Sequence, residues 1–152
     1  MTRTDKDTIE NLFDVLKELE NAEQWLTRSL EKCRAINPEQ DLSVQQYDDL
    51  EAFTSRFART SDLLLQKVFR AIDAVEMERS GTLLDAVNRA EKRGIIDSVA
   101  DIRRIRELRN EIAHEYLTEN LNLLFQEVKN ATPLLKAIIA STKSYSERFK
   151  GV

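Results

Sequence analysis

A chain of 152 residues with 41% hydrophobic content fits one ordinary domain, long enough to bury roughly 68–70% of its unfolded surface in a single core. Three glycines and two prolines are too few turn-makers for a sheet protein, and a lone cysteine, Cys33, excludes an internal disulfide or a zinc site. A formal charge of −4, with pI near 5.2, gives no global attraction to nucleic acid.

The first pattern runs from about Asp7 to Ala35, with Ile9, Leu12, Phe13, Leu16, Leu19, Ala22, Leu26 and Leu30 at three- and four-residue steps. It predicts one long amphipathic helix, capped by Asp5 or Asp7 and ended by Ile36-Asn37-Pro38, since the residue before a proline is pushed out of helical geometry. Trp25 lies near the apolar face and reads as a core or rim aromatic. Ser43 with Gln46 three residues on predicts a reciprocal cap. From there the period continues for about thirty residues, roughly 45 Å at 1.5 Å per residue, an antiparallel partner for the first helix. Gly81 interrupts the pattern; Thr82 with Asp85 opens a short helix that Gly94 terminates in left-handed geometry. Asp97 or Ser98 caps a fourth helix through Val99, Ile102, Ile105, Leu108, Ile112 and Ala113. Thr118 opens a fifth, kinked or restarted at Pro133, and the tail SYSERFKGV reads as a frayed end. The expected fold is all-α: a single domain over residues 1–152, an up-and-down bundle of four long helices plus one short helix. No apolar run approaches the eighteen or so residues of a membrane span. The amino terminus MTRTDKDTIE lacks the apolar stretch of a signal peptide, so a cytoplasmic location with no membrane partner is expected.

The fourth helix carries the chemistry. Arg109 and Tyr116 fall in the middle of its apolar stripe, and a guanidinium there must snorkel out or find a carboxylate or phosphate. A salt bridge to a carboxylate on another helix, across a bundle or dimer seam, is one way to satisfy it. His114, the only histidine, stands in a polar line with Asn110 and Arg106. It lies about 140° around an ideal helix from Arg109, so the two cannot meet on one straight helix. Convergence needs a bend near His114 or a second copy of the chain.

The run Arg109-Asn110-Glu111-Ile112-Ala113-His114-Glu115-Tyr116 resembles the Arg-x4-His-x-Tyr signature of HEPN domains, helical ribonuclease toxins encoded beside minimal nucleotidyltransferase antitoxins. The likeness spans about Phe57 to Ile139 and is strongest from Gly81 to Leu117, where Arg93-Gly94-Ile95-Ile96-Asp97 precedes the signature. It implies a homodimer whose signature helices face each other and cleave RNA without a metal or other cofactor, the ribose 2′-OH attacking the adjacent phosphate. In that scheme Arg109 holds the phosphate, His114 moves the proton and Asn110 orients a partner or the RNA backbone. Tyr116 resembles the position that the nucleotidyltransferase modifies with AMP, closing the cleft with bulk and charge. The segment from Arg56-Phe57 to Phe69 is equally similar to nucleotidyltransferase substrate-binding proteins, a sister group of the same fold. A non-catalytic partner protein is therefore the alternative.

Charge around that helix departs from the average. Arg89, Lys92, Arg93, Arg103, Arg104, Arg106 and Arg109 are interrupted by only Glu91, Asp97, Asp101 and Glu107, a local excess of three, while residues 1–60 hold 13 acidic and 8 basic side chains. Doubled in a dimer, that excess makes Arg103, Arg104 and Arg106 candidates for binding an RNA backbone; read alone, it is a solvated face. Cys33 reads as a half-buried structural thiol, Tyr47 and Tyr145 as packing residues, and Glu111 and Glu115 as charge balance around His114. No phosphate loop, metal-ligand cluster or serine-nucleophile pattern occurs in the sequence.

Overall fold

The structure is a computed structural model that describes residues 3–79, 81–114 and 121–151. Every regular element among these residues is helical. Helix α1 (Arg3–Cys33) begins before either expected cap, and Asp5 instead lies in its first turn, where a carboxylate favours the positive end of the helix dipole. Leu12, Leu19, Leu26 and Cys33 recur at seven-residue intervals and are all buried, with Val15, Ala22 and Ser29 buried between them. That spacing is the seam of a left-handed coiled coil. Arg34 and Ile36 then donate their backbone N–H to the carbonyls of Glu31 and Cys33, closing the helix before Pro38.

Helix α2 (Val44–Asp62) starts with the predicted reciprocal cap: Gln46 N donates to Ser43 Oγ at 3.1 Å, and Ser43 N to Gln46 Oε1 at 2.9 Å. It continues through a π turn (Leu63–Val68) into α3 (Phe69–Val75), so the predicted long helix is present but changes its winding midway. Thr60 and Ser61, both buried, donate their hydroxyls back to the carbonyls of Arg56 and Phe57 just before the change. Such back-bonding loosens and bends helices. The Leu63 N–H is shared between the Arg59 and Thr60 carbonyls.

Cross-links fix the orientation of the long rods. Cys33 Sγ donates to the Asp49 carbonyl, Arg56 to Ser29 Oγ and Lys67 to Glu18, so as one chain number rises the other falls: α1 and α2 are antiparallel. Lys129, Lys136 and Lys143 of α6 (Leu121–Ser146) meet Arg34, Thr27 and the Glu20/Glu23 pair, placing α6 antiparallel to α1 as well. Helix α5 (Val99–His114) packs on α2 and α6, and the short α4 (Leu83–Lys92) on α3 and α5. Phe53, Phe57, Phe69, Ile105, Leu135 and Ile139 are fully buried where these helices meet.

Thr82 and Asp85 form the predicted cap of α4. Gly94, at φ 77°, ends it with Gly94 N donating to the Glu91 carbonyl and Ile95 N to that of Ala90. Of the two proposed caps for α5, Ser98 serves: its Oγ accepts from Ala100 N, while the Glu91 carboxylate takes Val99 N. Of the two outcomes expected at Pro133, the restart does not occur: the residue lies inside a single continuous α6. One expectation at the carboxyl end needs correction. The tail docks instead of fraying: Ser146 is buried, Glu147–Phe149 forms a 3-10 turn, Phe149 meets the Tyr145 ring edge-on at 6.0 Å, and the Tyr145 phenol donates to Glu76. The predicted start at Thr118 lies outside the described residues.

Candidate functional site

Helix α5 and the π turn together form a recess of about 320 Å³, lined by Asp62, Leu65, Gln66, Arg106, Arg109 and Asn110. All six residues come from two places: the step at which α2 changes winding, and one turn of the signature helix. π turns inside α-helices recur at functional sites because they redirect side chains. Here Gln66 is exposed toward the recess while its neighbour Leu65 is buried beneath it.

Arg109 meets its need for an acceptor inside the chain. Its Nε and one Nη donate to the two oxygens of Asp62 at 2.9 and 3.0 Å. Asp62's hydrogen bonds and charge raise the guanidinium pKa further above its ordinary value, so the group is a fixed cation. The pair is only partly shielded, with side chains 38% and 42% exposed, and water screens most of its contribution to stability. Its effect on geometry is larger: a bidentate fork sets the plane of the guanidinium. Two of the five N–H donors of a guanidinium are used, and the remainder stay available to an oxyanion in the recess.

Asp62 is the residue that sequence reasoning missed, although one signal pointed to it. It is the only carboxylate between Glu51 and Asp73, hence the only acid the middle of that rod offers to a neighbouring arginine. Arg106 and Asn110 line both this recess and a second groove of about 200 Å³ between α4 and α5, which Arg103 also lines. Arg103, Arg104 and Arg106 are exposed and have no carboxylate partner among the described residues. The rest of the basic cluster divides differently. Arg89 and Arg93 hold the buried carboxylate of Asp73 at 3.0 and 2.6 Å, and Arg93 also bonds Glu76, so these two are structural.

His114 is exposed at the last described position of α5 and lines none of these recesses. Because α5 is unbroken α-helix from Arg109 to His114, the angular separation expected from the sequence persists, and one chain does not bring the pair together. Ala113, expected in the apolar stripe, is exposed beside it. Tyr116 and Glu115 lie outside the described residues. No helix is long and apolar enough to cross a membrane among the described residues. No family model, curated protein or solved structure matches this chain.

Proposed function

We propose that the protein is a HEPN-type, metal-independent endoribonuclease that works as a homodimer and is neutralised by a minimal nucleotidyltransferase antitoxin. The observation that carries the reading is Arg109: oriented by Asp62, with spare donors, in a recess that the unpaired Arg106 also lines, with Arg103 in the adjoining groove. Such a surface suits the phosphates of an RNA strand. In the reaction, the 2′-OH loses its proton and its oxygen attacks phosphorus. The bond to the 5′-oxygen breaks, the 5′-oxygen gains a proton, and a 2′,3′-cyclic phosphate remains. Arg109 stabilises the charge on the phosphoryl oxygens, and His114 of the partner subunit exchanges the proton, since His114 of the same chain points elsewhere. Asn110, beside Arg109, orients the strand. Tyr116 is the residue we assign to AMP modification by the antitoxin.

Purified protein incubated with RNA in excess chelator should yield 2′,3′-cyclic ends, and His114→Ala should slow cleavage by about 10²–10⁴-fold. Equal cleavage by that variant, or none by the unmodified protein, overturns the enzymatic reading. The Asp62 pair favours one second reading, a non-catalytic partner protein in which Arg109 serves the bundle. In that case Arg109→Ala lowers stability, RNA stays intact, and the protein still binds its nucleotidyltransferase.

A further inference from the structure

A second cationic recess lies in the acidic amino-terminal half and shares no lining residue with the α5 recess. Trp25, Asn21 and Ala22 of α1 and Arg56 and Arg59 of α2 line a hollow of about 260 Å³. Trp25 is 48% exposed, contrary to a core role. The Arg56 guanidinium lies over its indole, 5.0 Å from the ring centroid, and is held there by a 2.6 Å hydrogen bond from Nη1 to the buried Ser29 Oγ. Arg28, one turn after Trp25, approaches the same ring at 5.8 Å.

None of Arg28, Arg56 and Arg59 has a carboxylate partner among the described residues. Several acids near them in sequence are engaged elsewhere: Glu23 with Lys143, Glu31 with Arg34, and Asp62 with Arg109. By contrast Arg89, Arg93 and Arg109 bond carboxylates, and Arg70 a backbone carbonyl. Three uncompensated guanidinium groups around one indole repel one another, and a single arginine would suffice to cover the ring. A bound anion removes that repulsion, and the exposed part of the indole adds a surface for a planar group. The hollow is smaller than pockets that enclose a free small molecule, which suits one repeating unit of a strand lying across it.

We propose that this recess binds a nucleotide unit of single-stranded RNA, its phosphate between Arg56 and Arg59 and its base against Trp25. The hollow itself is independent of the nuclease reading, but the choice of RNA as its occupant rests on that reading. Trp25 is the only tryptophan, so its fluorescence reports on this recess alone. The full chain titrated at low salt with an uncleavable 2′-O-methyl decanucleotide should show saturable quenching. Arg59→Gln, an exposed position whose variant should retain the helical circular dichroism of the parent, should weaken the affinity about tenfold and lower the salt dependence by about one unit. Saturable quenching without cleavage of unmodified RNA would fail the catalytic reading alone, whereas cleavage without quenching would overturn this site alone. No quenching, equal affinity in Arg59→Gln, or equal competition by inorganic phosphate, AMP or a poly-aspartate peptide overturns the proposal.

Discussion

Arg109 and Cys33 show how a single side chain's surroundings decide its chemistry. Arg109 keeps its charge and gains an orientation from Asp62. Cys33 loses access to its charged form, because burial, reinforced by Asp49, pushes the thiol from 9.0 up to about 11. A group whose pKa is raised on folding stabilises the fold fully below its unfolded value and loses that contribution as pH rises toward the folded one. The protein should therefore lose stability between pH 9 and 11 more steeply than Cys33→Ala does, as read by urea midpoints. The folded thiol should also react with alkylating reagents only as fast as the chain opens. Met77 is the opposite case, an exposed side chain held at φ 59° where α3 ends. Glu78 N donates to the Asp73 carbonyl and Met77 N to that of Ala74, a terminus that ordinarily carries glycine. Met77→Gly should raise stability by about 1 kcal/mol in chemical denaturation, because glycine adopts that conformation without a Cβ clash.

At the scale of elements, α4 is the piece most dependent on local chemistry. Its ten residues are too few to be stable alone, so its cap and its two arginine bridges to Asp73 hold it in place. A Cβ at Gly81 would come within 2.4 Å of Asp85 Oδ2, the oxygen that accepts from Thr82 N at 2.9 Å. Gly81→Ala should therefore displace the cap and lower the denaturation midpoint. The hydrogen bonds from Thr82 hold the Asp85 carboxyl below its ordinary range, so the cap is intact above that range and is lost as pH falls through the depressed value. The gap between variant and parent should accordingly close in acid. Caps such as Ser43/Gln46, Thr82/Asp85 and Gly94 were legible in the sequence because each is complete within three or four residues. The Asp62–Arg109 pair spans 47 positions, and the docking of Tyr145 on Glu76 spans 69, so no local pattern announces them.

At the scale of the molecule, the hydrophobic period and the scarcity of turn residues were enough to read a helical bundle, while the paired and unpaired cations became distinguishable only in three dimensions. Net charge concealed the difference: Arg89 and Arg93 are neutralised internally, whereas Arg103, Arg104 and Arg106 face solvent. If the reacting pair comes from two chains, mixing equal amounts of Arg109→Ala and His114→Ala proteins should restore about a quarter of parental cleavage. Half of randomly paired dimers are mixed, and each mixed dimer regains one of two sites. Silence in that mixture would assign Arg109 and His114 to the same chain. The π turn also has a consequence for the whole rod. Upstream of it α2 serves α1, α5 and α6; downstream α3 serves α1 and α4. A rod of constant pitch keeps its apolar stripe in one drifting phase along its length. The wider turn acts as a phase shifter, letting one continuous helix address two sets of neighbours and leaving Asp62 at the step between them, opposite Arg109.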